Sequence, residues 1–100
     1  SIKVSTAGGT GMNFPVALEA GKTYTLKYTL DNTGRVYLMK YNSDTTYNSN
    51  AMQSSTAGTF TKTITPEAGY LYSILFAPMV KDTLVTFSGI SLKENCLLSP

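Results

Sequence analysis

Apolar and polar residues alternate along most of this chain with a period of two rather than 3.6. The pattern is sharpest over residues 23–30, where Tyr24, Leu26, Tyr28 and Leu30 share one face and Thr23, Thr25, Lys27 and Thr29 share the other. Successive side chains of an extended chain point to opposite sides, so this segment reads as a strand with one face in a core. Glu19-Ala20-Gly21-Lys22 precedes it as a turn in which Gly21 is free to take positive φ, and Asp31-Asn32-Thr33-Gly34 follows as a run of turn formers. A hairpin into the next strand is predicted there. That strand, residues 35–41, sets Val36 and Leu38 against Tyr37, Met39 and Tyr41, so neither of its faces is polar.

Residues 42–58 are Asn, Ser, Thr and Asp with few apolar side chains, which predicts an extended surface loop. Alternation resumes over 59–65, with Phe60 and Ile64 opposite four threonines and Lys62 interrupting the apolar side; Pro66-Glu67-Ala68-Gly69 closes it. Residues 70–77 are apolar on both faces, as in a central strand covered twice or exposing an apolar binding face. Pro78, which cannot donate to a ladder, ends it. In the last segment Val85 and Phe87 are in phase, whereas Ile90 and Leu92 are in phase only with Leu84. The inward parity therefore flips around Ser88-Gly89, which predicts a glycine β-bulge. No segment carries an i, i+3, i+4, i+7 apolar stripe; the nearest, residues 13–20, is short and contains Pro15. We see no internal repeat and no low-complexity linker. About six to eight short strands separated by turns predict an all-β fold, an antiparallel β-sandwich.

The length of 100 residues fits a single domain spanning residues 1–100. The chain begins without Met and enters at once on a strand-like Ile2 to Val4, so we expect a domain excised from a longer chain. The first residues lack the apolar core of a signal peptide, and no stretch approaches the roughly 20 apolar residues of a membrane span, so no membrane insertion is expected. Only 14% of residues are charged, with Thr, Ser and Asn supplying most of the polarity, as on a sheet protein's surface. The net charge is +2 and no basic cluster tracks a phosphate backbone, so nucleic acid is not an expected partner. The single cysteine, Cys96, excludes an internal disulfide.

The absence of histidine removes Ser-His-Asp triads, Cys-His pairs and nearly all zinc sites. The carboxylates Glu19, Asp31, Asp44, Glu67, Asp82 and Glu94 are scattered over turns and strand ends, with no pair placed to work as acid and base across a glycosidic bond. They read as solvated turn residues, and the chain is not expected to be an enzyme. Ala7-Gly8-Gly9-Thr10-Gly11 is not followed by the Lys-Ser or Lys-Thr of a phosphate loop and reads as a connection.

The tyrosines offer more. Sugars bind by stacking their CH-lined faces on flat rings while nearby amides, carboxylates and guanidiniums take the hydroxyls. If Val36 and Leu38 point into the core, Tyr37 and Tyr41 point out beside the polar segment that holds Tyr47, with Arg35, Asn42, Asp44 and Asn48 as polar partners; Tyr72 joins if its strand lies alongside. The plainer reading packs these rings in a sandwich core or against a neighbouring subunit, since tyrosine is common in strands and no Trp is present. Tyr24 and Tyr28, alternating with Leu26 and Leu30, are core.

The succession Leu18-Glu19-Ala20-Gly21-Lys22-Thr23-Tyr24-Thr25-Leu26, then Gly58-Thr59-Phe60-Thr61, then Val85-Thr86-Phe87-Ser88-Gly89-Ile90-Ser91-Leu92-Lys93-Glu94 resembles the galactose-binding-like jelly rolls. It is especially similar to carbohydrate-binding modules of glycosidases and related domains of bacteriophage tail, baseplate and fibre proteins. The resemblance covers roughly residues 1–94 and implies a jelly-roll sandwich that binds a glycan or cell-surface polysaccharide without catalysis, as an accessory domain of a phage tail or receptor-binding protein or of a glycan-active protein. It implies an extracellular or virion location. The alternative within the same resemblance is a structural domain that decorates, spaces or trimerises a virion protein without touching glycan, as a homo-oligomer or part of a larger assembly. Such domains often carry a structural calcium near the first and last strands. Here the acidic residue common before the final Ile-x-Leu is replaced by Ser88-Gly89, leaving Glu94 nearby, so no metal or cofactor is expected.

Overall fold

The computed structural model describes residues 2–4, 11–80 and 83–95; Cys96, Asp82 and most of the glycine-rich segment 7–11 lie outside the described residues. Eight strands run through them: β1 (Ile2–Val4), β2 (Met12–Val16), β3 (Tyr24–Leu30), β4 (Gly34–Asn42), β5 (Tyr47–Ser55), β6 (Gly58–Ile64), β7 (Tyr70–Pro78) and β8 (Val85–Glu94). They form two four-stranded antiparallel sheets, a first in the order β1-β8-β3-β6 and a second in the order β2-β7-β4-β5. The chain is an all-β sandwich. Its ladders β1·β8, β2·β7, β3·β6 and β4·β5 are those of one long hairpin folded back on itself.

Two expectations are corrected. Asp31-Asn32-Thr33-Gly34 does turn the chain, but it carries it from the first sheet to the second, so β3 and β4 are not hairpin partners. Asp31 fixes the crossing by accepting the Thr86 amide on its carboxylate at 2.8 Å. The segment 42–58 is not a loop: nine of its residues form β5, which pairs with β4 from Tyr47 to Ser55. Strand β2, with Pro15 inside it, was also invisible to the alternation.

The core lies between the sheets. Tyr28 is 0% exposed, and its ring centroid is 6.1 Å from Phe60, 6.4 Å from Phe76 and 6.4 Å from Phe87. Phe76 and Phe87, one from each sheet, stand 5.0 Å apart. Each such side chain buried contributes roughly 1.5–3 kcal/mol. On β8 the parity flip falls at the expected place. Lys27 pairs with Ser91 but Thr29 pairs with Ser88, so β8 carries an extra residue there, and Gly89 takes φ +58°. This bulge lets Val85 and Phe87 on one side of it, and Ile90 and Leu92 on the other, all face the core. Lys62 interrupts the apolar face of β6 because β6 is an edge strand, where an inward-tilted charge blocks pairing with other chains.

A third expectation, that the chain holds no internal repeat, is also corrected by the strand order. Advancing every strand by four converts β1-β8-β3-β6 into β5-β4-β7-β2, which is the second sheet read from its other edge. Glu19-Ala20-Gly21-Lys22-Thr23-Tyr24 leads into β3 and Glu67-Ala68-Gly69-Tyr70-Leu71-Tyr72 runs into β7. In both, glycine takes a left-handed conformation, Gly21 at φ 87° and Gly69 at φ 86°. In both, the tyrosine hydroxyl accepts the glutamate amide at 2.9 Å. The inward residues then match in turn, Tyr24 with Tyr72, Leu26 with Ile74, Tyr28 with Phe76 and Leu30 with Pro78, all buried.

Candidate functional site

The two matched strands change from polar to apolar character only where they face outward. Thr25, Lys27 and Thr29 on β3 correspond to Ser73, Leu75 and Ala77 on β7. Around β3 the outer surface of the first sheet is hydroxyl-lined: Thr25 pairs with Thr63 and Thr29 with Thr59, the last two sharing a 2.8 Å hydrogen bond. Around β7 the outer surface of the second sheet is apolar and aromatic. Since both strands bury apolar or aromatic residues of similar kind inward, folding does not require that difference.

The register lays the outer surface of the second sheet out in rows. One row runs Asn13–Leu75–Tyr37–Met52, the next Pro15–Ser73–Met39–Asn50, and a third joins Leu71, Tyr41 and Tyr47. Tyr37, Tyr41 and Tyr47 thus share the outer face, as expected from Val36 and Leu38 turning inward. Tyr37 and Tyr41 are half-buried, while Leu71 and Met52 are 48% and 51% exposed. The rings of Tyr41 and Tyr47 meet edge to face with centroids 6.4 Å apart, and the Tyr47 hydroxyl accepts a hydrogen bond from Asn50 Nδ2 at 2.7 Å. Arg35 belongs to the same face: its Nε donates to the Pro78 carbonyl at 3.2 Å and its guanidinium lies 5.7 Å from the Tyr37 ring centroid.

At the Tyr41 end the surface dips into a cleft of about 260 Å³ lined by Asn13, Pro15, Tyr41, Thr45, Leu71, Tyr72 and Ser73. The dip follows from placing a serine between Pro15 and Met39 in its row. Ser73 is 3% exposed and its hydroxyl has no hydrogen-bond partner, an unsatisfied group in a site otherwise rich in carbon.

The other expected partners do not present their side chains to this face, although Tyr72 borders the cleft. Tyr72 does run alongside, but it pairs with Lys40 on the inward side, is 7% exposed, and its hydroxyl is taken by the Glu67 amide. Its ring does not join Tyr37 and Tyr41, because neighbouring residues of one strand point to opposite faces. Lys40 clamps the same corner, its ammonium 3.0 Å from Glu67 and 4.0 Å from the centre of the Tyr70 ring; the hydrogen bond to Glu67 raises its pKa. Asn42, Asp44 and Asn48 gather in the β4–β5 turn and bond mainly to one another and to Thr46. Asn42 Nδ2 donates to Thr46 Oγ1 at 2.9 Å, Asn48 Nδ2 to Asn42 Oδ1 at 2.9 Å, and Asp44 accepts the Thr46 hydroxyl at 2.6 Å and amide at 3.0 Å. Those two bonds hold the Asp44 pKa below its ordinary value. The turn closes with Thr45 at φ 74°, the left-handed position of a three-residue hairpin loop. These side chains build the hairpin that carries Tyr41 and Tyr47.

Sequence reasoning missed Pro15, Leu71 and Ser73. The signal for Leu71 and Ser73 was present in the doubly apolar segment 70–77, whereas Pro15 required knowing that β2 pairs with β7. Among the described residues no three His, Cys, Asp or Glu side chains gather into a metal cage. In comparisons with known proteins, no family model matches the chain and no curated protein matches its sequence.

Proposed function

We propose that this chain is a non-catalytic carbohydrate-binding domain that takes a glycan on the outer face of β4 and β7. The observation that carries the reading is the divergence of the two matched strands. Their inward residues are all apolar or aromatic, while the outward ones are Thr-Lys-Thr on one sheet and Ser-Leu-Ala beside three tyrosines on the other. Flat rings at Tyr37 and Tyr41 suit the CH face of a pyranose, and the flanking Asn13, Asn50 and Arg35 suit its oxygens. The folded-back hairpin supports a jelly-roll winding, and with it the likeness to galactose-binding-like modules and phage tail domains; an accessory role in an extracellular or virion protein follows from that likeness. No catalytic step and no cofactor are part of this reading.

The test is an NMR titration of the ¹⁵N-labelled chain with a panel of short oligosaccharides containing galactose, glucose, xylose and N-acetylglucosamine. Shift changes confined to β2, β4, β5 and β7 outward positions, lost in folded Tyr37→Ala and Tyr41→Ala variants, support the proposal. Changes centred on the threonine face, or on none of the panel, count against it.

A further inference from the structure

Among the described strands, the sheet edges are guarded unequally. A sheet edge presents unpaired amide and carbonyl groups, and proteins blunt it with inward charges, proline or very short strands. Edge strand β6 carries inward Lys62, β2 carries Pro15, and β1 has three residues. Strand β5 is the remaining edge: nine residues, Tyr-Asn-Ser-Asn-Ala-Met-Gln-Ser-Ser, with neither a charge nor a proline. Its one irregularity sits near Asn48, where the β4 register shifts between Lys40 and Tyr41, leaving residues 49–55 in regular register with β4.

We propose that β5 pairs antiparallel with β5 of a second copy of this chain, about a two-fold axis at Met52, joining two four-stranded sheets into one. A two-fold axis sets each strand against itself, so any charge on β5 would face a like charge or lie near one; β5 has none. Centring on Met52 matches the whole regular stretch, with Ser49 opposite Ser55, Asn50 opposite Ser54 and Ala51 opposite Gln53. Antiparallel partners share a face, so outward residues meet outward ones. Met52, 51% exposed in the single chain, is then covered by the partner's Met52. The axis closes on itself, giving a dimer and not a fibre. The two tyrosine faces become one continuous surface, but the pairing does not depend on what they bind.

Light scattering and sedimentation of the whole chain should give a mass near twice 10.8 kDa that falls on dilution. Met52→Lys, which sets two ammonium groups against each other, should make it monomeric with unchanged circular dichroism, while Leu84→Lys, at a position 52% exposed just before β8, should not. In a Cys96→Ser background, Met52→Cys should form an intermolecular disulfide under mild oxidation and Leu84→Cys should not. A monomer up to the concentrations used for NMR, a dimer indifferent to Met52→Lys, or no cross-link through Met52→Cys overturns the proposal. Because Met52 pairs with Tyr37 on the glycan face, glycan binding by wild type diluted to the monomer, rather than by Met52→Lys, separates failure of the pairing from failure of the binding reading.

Discussion

Tyr41 and Tyr47 stand edge to face across the β4–β5 ladder, 6.4 Å between centroids and 78° between planes. Such a pair contributes about 0.5–1.5 kcal/mol beyond the area it buries, and here it supports the Tyr41 ring on the side away from the cleft. We expect Tyr47→Ala to lower stability by about 1 kcal/mol and to weaken glycan binding less than Tyr41→Ala does. Chemical denaturation and a binding isotherm on the same samples check both. Tyr47→Ala reducing affinity as much as Tyr41→Ala would make Tyr47 a direct contact.

Tyr28 places a hydroxyl in the centre of the core with no hydrogen-bond partner and 0% exposure. Burying an unpaired hydroxyl costs about 1–3 kcal/mol. Tyr28→Phe should therefore hold or raise the denaturation midpoint, whereas Tyr28→Ala should lose about 3–5 kcal/mol through the cavity it leaves. A loss of more than about 1 kcal/mol in Tyr28→Phe would mean that the hydroxyl has a partner in solution.

Two left-handed positions carry opposite residue types and should respond oppositely. Gly89 at φ 58° forms the β8 bulge, and a side chain there costs about 1–2 kcal/mol, so Gly89→Ala should destabilise by that order. Thr45 at φ 74° is a β-branched residue in the same backbone region, so Thr45→Gly should stabilise by a few tenths to about 1 kcal/mol after glycine's entropy cost. Equilibrium unfolding of the two variants gives both signs.

The hairpin also has a pH signature. The hydroxyl and amide of Thr46 lower the Asp44 pKa in the folded chain, so their contribution is complete above the unfolded value of about 3.9 and is lost as pH falls through the lower folded one. The thermal midpoint of wild type should exceed that of Asp44→Ala at neutral pH, and the gap should shrink in acid below the ordinary carboxylate range. A gap constant down to strongly acid pH would assign the Asp44 contribution to something other than its charge. Lys40 behaves in the reverse sense: its pKa is raised by Glu67, so that contribution persists below about pH 10.4 and fades above it.

The sequence made the inward face readable wherever apolar residues marked it. Tyr24, Leu26, Tyr28 and Leu30 on β3, and the flip at Ser88-Gly89, follow from parity alone. β5 was not readable, because its alternation is between polar residues on both faces and an edge strand with one half-open side has no need of an apolar mark. The crossing at residues 31–34 looked like a hairpin because turn residues record a change of direction and not which sheet receives the chain. Tyr72 shows the same limit: its parity with Ile74 and Phe76 was plain, but only pairing with Lys40 placed it apart from Tyr37 and Tyr41. The Glu-Ala-Gly-x-x-Tyr repeat stands in the sequence at residues 19–24 and 67–72 but was not read as one, because the residues that follow it diverge between the two halves.

The central claim is that the tyrosine face of β4 and β7 receives glycan. A broad glycan array probed with wild type, Tyr37→Ala, Tyr41→Ala and, as a control on the opposite face, Thr61→Ala tests it most directly, each variant first shown to be folded. We expect a defined set of glycans bound by wild type and Thr61→Ala and reduced tenfold or more, about 1.4 kcal/mol, in at least one of the tyrosine variants. Silence of the wild type across the array, or binding that survives both tyrosine substitutions, would contradict it.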